Sequence, residues 1–144
     1  MNKSVKLQIQ KLSPDATVPK YAHPGDAGLD LYAAQEMRIP AGGFLGVPTG
    51  IAMAVPEGYV GLIWDKSGLA INHGIKTMAG VIDASFRGEI TVVVTNVSKS
   101  DYIFEKGHKV AQILIQPIVS AEVEVVAQLS TTARGANGLG STGK

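Results

Sequence analysis

The sequence predicts an all-β fold, a sandwich or barrel that forms one domain. A chain of 144 residues suits a single domain of ordinary size. Its 17 glycines and 7 prolines are spread along the whole length, which indicates turns between short strands and not one linker. Only residues 67–72 have a pattern that suits a helical turn. Many short strands without a long helix are typical of a β-sandwich or a barrel.

The strands are predicted from short stretches in which apolar residues alternate with polar ones or run together. Both faces of residues 89–97 tolerate burial, so this strand is expected at the centre of a sheet or against a partner chain. The predicted extended segments are residues 5–9, 29–33, 44–55 (two strands broken near 48–50), 59–64, 75–82 (a hairpin turning at 78–80), 89–97, 109–119 and 122–128. From residue 131 onward the chain is rich in glycine and small polar residues and has no core pattern.

Composition excludes several classes of function. The chain has no cysteine, which excludes a disulfide framework, a thiolate zinc site and a cysteine nucleophile. Its net charge is +1, so neither a nucleic-acid footprint nor a polybasic membrane patch is visible. The first residues lack the apolar run of a signal peptide, and no stretch approaches the roughly 20 apolar residues of a membrane helix. We therefore expect a soluble, cytoplasmic protein that binds neither nucleic acid nor a membrane.

One carboxylate, Asp83, stands where an apolar run gives way to a short polar turn and an aromatic ring, Phe86. With an apolar wall behind it and polar groups ahead, such a carboxylate suits a general base. The alternative is a turn residue that bonds only its own backbone. Taken alone, this stretch favours the turn residue, and the segments found elsewhere in the chain shift the balance to the base.

Four further segments combine glycine with polar groups. Asp30 stands between leucines and needs a partner, as a metal-shell carboxylate or as an internal acceptor. Ser67 and Gly68, after Lys66, either bind phosphate at a helix start or cap the helix. Gln112 is either a satisfied core amide or a ligand contact. The tail, which carries Arg134, is either a flexible terminus or an anion nest.

Taken together and in this order, the segments resemble the five motifs of the homotrimeric dUTPase (deoxyuridine triphosphate nucleotidohydrolase) family. Five ordered motifs are a specific signal, whereas any one glycine pattern is weak. The resemblance extends over residues 26–143. The matching segments are residues 27–31 (AGLDL), 66–70 (KSGLA), 80–83 with 87–89 (GVID and RGE), 107 with 111–112 (G and AQ), and 134–143 (RGANGLGSTG).

The resemblance implies a distorted jelly-roll, or β-clip barrel, that assembles as a homotrimer with active sites shared between subunits. Residues 1–130 would form the β domain. Residues 131–144, which we call the C-terminal arm, would close over the active site of a neighbouring subunit. The implied reaction is hydrolysis of dUTP to dUMP and diphosphate with Mg2+, which removes dUTP from the nucleotide pool and supplies dUMP for dTMP synthesis.

The resemblance also implies a role for individual residues. Asp83 would activate the water that attacks the α-phosphorus, and Asp30 would hold Mg2+, through water. Phe86 would pack under the deoxyribose and exclude a 2′-hydroxyl. The remaining substrate-binding residues would be Lys66, Ser67, Gly68, Gln112 and Arg134 at the phosphates, Thr77, Gly80 and Val81 around uracil, and Leu139, Gly140 and Ser141 in the closing arm.

Three positions depart from the family pattern. Lys66 replaces the usual arginine, and lysine binds phosphate only as a point charge, whereas arginine binds it with two parallel hydrogen bonds. Phe86 replaces tyrosine and loses its hydroxyl, and Leu139 replaces an aromatic that stacks on the base, a difference of about 1 kcal/mol. Activity is still expected. The rival interpretations are a dCTP deaminase, whose deaminating carboxylate has no counterpart here, a non-catalytic trimeric binding module, and a structural jelly-roll protein.

Overall fold

The computed structural model describes residues 4–143. Residues 1–3 and 144, at the outer ends of the predicted β domain and arm, lie outside the described residues. The strands are β1 Gln8–Lys11, β2 Leu29–Tyr32, β3 Met37–Ile39, β4 Phe44–Ala54, β5 Tyr59–Trp64, β6 Ile75–Thr77, β7 Val81–Ile82, β8 Glu89–Asn96, β9 Tyr102–Phe104 and β10 Lys109–Pro117, with one helix, α1 Ser67–His73, between β5 and β6.

Two four-stranded antiparallel sheets enclose the core. The first sheet has the order β1-β4-β8-β6 and the second the order β2-β10-β5-β7, while β3 and β9 form a separate pair. Side chains of both larger sheets belong to one apolar cluster, which includes Val92 of β8 and Ile113 of β10, both 0% exposed. The all-β jelly-roll prediction is confirmed.

Strand β8 occupies the central position that its sequence predicted. It lies between β4 and β6, and Ile90, Val92 and Val94 on one face are fully buried. Alternate residues face the other way, as the two-residue period of a strand requires. Strand β5 and the helical turn also lie where the pattern placed them, since each combines a clear apolar period with glycine at its boundary.

The predicted hairpin over residues 75–82 is wrong. Strand β6 pairs with β8 in the first sheet, whereas β7 pairs with β5 in the second sheet. The segment between them crosses from one sheet to the other through Ala79 and Gly80, which have φ angles of 57° and 107°. Adjacent short strands with a glycine turn are typical of a hairpin. The hairpin does not form here because each strand pairs with a different strand, β6 with β8 and β7 with β5.

Three other strand predictions need correction. Residues 44–54 form one strand and not two, because the positive φ of Gly50 is absorbed as a register shift between Pro48 and Ala52. Residues 122–128 form no strand in the described chain, and Val123 and Val125 are about nine-tenths exposed. Strands β3 and β9 were not predicted, since three residues are too few to show a period.

Helix α1 is followed by a glycine in the left-handed backbone conformation. Gly74, with φ 63°, donates its N–H to the Ala70 carbonyl and closes the last turn. The helix has seven residues. Among residues 4–143, no helix is long and apolar enough to cross a membrane.

Asn96, at the end of β8, joins two loops to the sheet. It is 0% exposed, and its Nδ2 donates to the carbonyls of Ile39 (3.2 Å) and Ser100 (2.7 Å). Its Oδ1 accepts from the Ser98 N–H at 3.0 Å and the Ser98 hydroxyl at 2.7 Å. A buried polar group of this kind must be fully bonded.

We predict that Asn96→Ala lowers the free energy of unfolding by about 2–3 kcal/mol, because the buried Ile39 carbonyl and the Ser98 N–H and hydroxyl lose their partners. Urea unfolding followed by circular dichroism measures the change. Thr95→Val is the control, since it removes a single hydroxyl bond to the Gly43 carbonyl (3.1 Å) on the same strand. An Asn96→Ala loss no larger than that of the control would contradict the prediction.

Candidate active site

A buried carboxylate lies between two lysines at one end of the second sheet. Asp30 of β2 is 2% exposed. Its Oδ1 lies 2.5 Å from Lys66 Nζ, and its Oδ2 lies 3.0 Å from Lys109 Nζ. The partner that the sequence required for Asp30 is therefore a pair of cations, one from the loop before α1 and one from the start of β10.

The electrostatics of this cluster favour the charged carboxylate. Burial would raise the pKa of Asp30, but the Lys66 and Lys109 ammonium groups outweigh it and hold that pKa below the usual 3.8. In turn, hydrogen bonding to the Asp30 carboxylate raises the pKa of Lys109. The cluster carries two positive charges against one negative charge, so a cationic excess faces the adjoining surface.

Strand pairing brings three of the sequence-predicted segments together. In the order β2-β10-β5, Gln112 of β10 lies opposite Asp30 on one side and Trp64 on the other. Its Nε2 donates to the Asp65 carbonyl at 2.8 Å. Gly28 lies against Gln112, because a Cβ at this glycine would stand 2.5 Å from Gln112 Oε1. Gly28 is therefore required because a larger side chain would clash with Gln112, and not because of its backbone angles.

Residues 66–68, which we call the phosphate loop after the role that the resemblance implies for them, lie beside this cluster. Lys66 is the N-cap residue in extended conformation, with no side-chain cap bond, so Ser67 is the first helical residue and not the cap. Ser67 and Gly68 are exposed. A cavity of about 310 Å³ adjoins the loop and is lined by Lys66, Gly68, Leu69, Asn72, His73 and Lys109.

Residues 77–81, which we call the base segment after the uracil contacts that the resemblance implies, border a second cavity of about 170 Å³. Gly80 has φ 107°, and a Cβ there would stand 2.9 Å from Ile63 Cβ, so only glycine fits. Ile63 N–H donates to the Gly80 carbonyl at 2.9 Å, and this bond fixes the segment to β5. The lining residues are Leu62, Ile63, Trp64, Lys76, Thr77, Ala79, Gly80 and Val81.

Thr77 is a framework residue of this cavity and not a free donor. Its N–H and its hydroxyl both donate to Asp65 Oδ1, at 2.6 Å and 2.7 Å. Lys76 Nζ lies 2.9 Å from Asp65 Oδ2. Burial would raise the pKa of Asp65, but the Thr77 and Lys76 bonds together hold it below its usual value.

Asp83 lies in an exposed turn that follows β7. The turn closes through a bond from the Phe86 N–H to the Asp83 carbonyl at 3.1 Å, and Arg87 donates to the Ala84 carbonyl at 2.6 Å. The Phe86 ring covers Gly88, since a Cβ at Gly88 would stand 2.7 Å from the ring. The turn presents the carboxylate and the ring on the surface.

Within one chain, Asp83 lies far from the phosphate loop. Gly61 pairs with Ile82 in the antiparallel β5–β7 register, and continuing that register places Asp83 beside Val60. From Val60 to Lys66 the chain is extended and covers roughly 20 Å. The structure therefore brings together Asp30, Lys66 and Gln112, but it does not bring Asp83 to them.

The described part of the C-terminal arm, residues 131–143, is exposed throughout. Its bonds are local, such as Arg134 Nε to the Asn137 carbonyl at 2.8 Å. Leu139 is fully exposed. Arg134, Leu139, Gly140 and Ser141 are thus not brought to the other predicted site residues of the same chain.

Sequence reasoning gave no role to Asp65, Lys76 or Lys109. A signal existed for two of them, since Asp65 directly precedes Lys66 and Lys109 lies between Gly107 and Ala111 of a matching segment. Nothing in the sequence indicated Lys76, because its partner Asp65 lies on the other side of α1.

Comparison with known proteins gives consistent results. A family model described as dUTPase matches residues 14–143. The deoxyuridine 5′-triphosphate nucleotidohydrolase of Paramecium bursaria Chlorella virus 1 is 43% identical over 95% of this chain and 97% of its own length. The Saccharomyces cerevisiae protein of the same description is 46% identical over 95% of this chain and 94% of its own length.

Solved structures of dUTPases also match this fold. A mutant dUTPase of Staphylococcus bacteriophage 80alpha with dUpNHpp superposes with a TM-score of 0.92 at 27% identity, over 98% of this chain and 100% of that chain. A mutant dUTPase of the S. aureus phage phi11, reported with the coordination of a structural Mg(II) ion, has a TM-score of 0.81 at 27% identity, over 86% of this chain and 98% of that chain.

We predict that the stability advantage of the wild type over Asp30→Asn depends on pH. Because its folded pKa is depressed, Asp30 stabilises the fold fully above its unfolded pKa of 3.8, and this contribution is lost as the pH falls through the folded value. Urea unfolding of both proteins, from neutral pH down to about pH 2, measures the difference. A difference that stays constant with pH would contradict the prediction.

Proposed function

This chain belongs to the dUTPase family, and from that premise we infer that it is a dUTP diphosphatase, which hydrolyses dUTP to dUMP and diphosphate. One observation carries the assignment of the site. Strands β2, β10 and β5 bring Asp30, Gln112 and the phosphate loop into one cluster, although these residues come from three separate segments of the sequence. The cluster's cationic excess and its neighbouring loop amides suit a nucleoside triphosphate.

The phosphate loop and its neighbours bind the triphosphate in this proposal. Lys66 neutralises phosphate charge from a position that its bond to Asp30 holds, and the Ser67 hydroxyl with the Ser67 and Gly68 amides donates to phosphate oxygens. Gln112 has one N–H committed to Asp65, which leaves the second for phosphate. Donors held in this way act most strongly where charge develops in the transition state.

Asp83 acts as the general base. Its carboxylate stands in an exposed turn and accepts the proton of the water that attacks the α-phosphorus. The ring of Phe86, held over Gly88, supports the deoxyribose and leaves no space for a 2′-hydroxyl. Gly80 and Val81 supply backbone groups to uracil, and Thr77 frames the cavity through its bonds to Asp65.

Mg2+ fits this site as an ion carried by the nucleotide. Among the described residues, no group of three acidic, histidine or cysteine side chains could hold a metal directly. Oδ2 of Asp30 is buried beside the Lys109 ammonium group, 3.0 Å away, and a carboxylate oxygen has a further lone pair that could accept from a metal-bound water. Mg2+ prefers phosphate oxygens and water, and when bound it would neutralise charge on the triphosphate.

We propose that the site is completed by other subunits of a homotrimer. Asp83 and the phosphate loop of one chain are separated by roughly 20 Å along β5, a distance that the Asp83 side chain does not span. A second copy that places its own phosphate loop near this Asp83 resolves the separation. The exposed arm, including Arg134, Leu139, Gly140 and Ser141, closes over the nucleotide from a neighbouring subunit.

The test of the function compares the wild type with Asp83→Asn. We expect the wild type to release diphosphate from dUTP with Mg2+, and the variant to lose about 10²–10⁴-fold in rate because it lacks the base. Both proteins should still bind dUpNHpp. Asp101→Asn is the control, since Asp101 accepts the Ala41 N–H at 2.9 Å and pairs with Arg38 outside the site.

Two results would overturn these assignments. If folded wild type with Mg2+ releases no diphosphate from dUTP, the proposed activity is wrong. If Asp83→Asn turns over as fast as Asp101→Asn, the activity stands but Asp83 is not the base.

We predict that deletion of residues 131–144 lowers dUTP turnover without lowering the thermal midpoint. Residues 131–143 are exposed and bury no core surface, so their removal costs the fold nothing, whereas the nucleotide loses its cover. Steady-state assays and thermal unfolding measure the two effects. Full turnover by the truncated protein would contradict the closing role of the arm.

A further inference from the structure

Asp65 occupies an unusual position between the two cavities of the proposed site. It is the single residue between the end of β5 and the N-cap of α1, Lys66. Its side chain is 22% exposed. The proposed chemistry gives this carboxylate no role, although it stands next to a loop that binds an anion, where an unbalanced negative charge would repel the substrate.

The side chain of Asp65 is tied to the base segment. One oxygen, Oδ1, accepts both the N–H and the hydroxyl of Thr77, at 2.6 Å and 2.7 Å. The other oxygen, Oδ2, pairs with Lys76 Nζ at 2.9 Å, which balances the charge. Thr77 is only 7% exposed, so its two donors have no solvent to replace a lost acceptor.

The main chain of Asp65 is tied to the phosphate side. Its carbonyl accepts Gln112 Nε2 at 2.8 Å, and the next residue is Lys66, which reaches Asp30. Strand β6 belongs to the first sheet and β10 to the second. Asp65 thus joins the two sheets at this end, through its side chain to one and its carbonyl to the other.

We propose that Asp65 is a positioning residue that holds the base segment in place through Thr77, and thereby controls the affinity for dUTP and the discrimination against dCTP. It acts through Thr77 and Gln112 and does not touch the nucleotide. This inference rests on the proposed function, since it takes residues 77–81 as the segment that binds uracil.

The role predicts a particular pattern among variants. Asp65→Ala releases Thr77, so we expect KM for dUTP to rise about tenfold or more. This is the size of effect that the loss of hydrogen bonds to a charged acceptor produces. The chemical step uses Asp83, so kcat changes by less than about threefold. The preference for dUTP over dCTP, measured as the ratio of kcat/KM values, falls by about tenfold.

Asp65→Asn separates positioning from charge. An asparagine Oδ1 still accepts both donors of Thr77, while the ion pair with Lys76 is lost. We expect this variant to recover most of the wild-type KM and selectivity. Thr77→Val, which removes only the hydroxyl bond to Asp65, should show a smaller rise in KM than Asp65→Ala.

Asp101→Ala is the matched control for a general loss of stability. Asp101 also accepts a backbone N–H, from Ala41 at 2.9 Å, and also pairs with a cation, Arg38, but it lies outside both cavities. A purely structural role of Asp65 predicts that the two alanine variants have similar KM and selectivity.

Steady-state kinetics of the wild type and these variants with dUTP and dCTP provide the test. A raised KM and relaxed selectivity in Asp65→Ala, recovered in Asp65→Asn, support the proposal. It is overturned if Asp65→Ala matches Asp101→Ala, or if Asp65→Asn is as impaired as Asp65→Ala. If Asp65→Ala does not fold, Thr77→Val decides, and an unchanged KM overturns the proposal. A wild type without dUTP hydrolysis defeats the proposed function instead.

Discussion

The site depends on one interaction, the pairing of the buried Asp30 carboxylate with two lysines. A charge that is 2% exposed is tolerated only when it is paired, and here the partners come from two other parts of the chain, Lys66 and Lys109. The pairing fixes the phosphate loop against β2 and β10. The same requirement leaves one positive charge in excess, so a cluster built around an acidic residue has the charge that suits an anion.

A second constraint is the direction of β5. Its first half pairs with β7 and so carries the turn with Asp83, while its last residue leads through Asp65 into the phosphate loop. Asp83 and residues 66–68 are therefore placed near opposite ends of one strand. A nucleotide that needs both must bind between copies of the chain, which makes assembly a part of the proposed chemistry.

The three departures from the family pattern have local explanations of different strength. Lys66 reaches a buried carboxylate with its single ammonium group, so the missing fork of arginine is partly offset by a fixed position. Phe86 keeps the ring in place over Gly88 without the hydroxyl. For Leu139, which is fully exposed, the structure of one chain offers no explanation.

Much of the molecule was predictable from local patterns. The all-β class, strand β5, the helical turn and the central position of β8 follow from apolar periods and from glycine at the turns, which are properties of neighbouring residues. The pattern also required that Asp30 have a partner. The segment around residues 75–82 was misjudged because a hairpin and a crossing between sheets have the same local signature.

What the sequence determined by itself is the set of chemical groups and the order in which they occur, since charge, hydroxyl, amide and glycine are properties of single residues. Only the tertiary structure decided the contacts between distant segments. The lysines around Asp30, the bonds from Asp65 to Thr77 and Gln112, and the separation of Asp83 from the phosphate loop all depend on which strands lie side by side. Strand pairing is a long-range choice, because every strand offers the same backbone donors and acceptors to any neighbour.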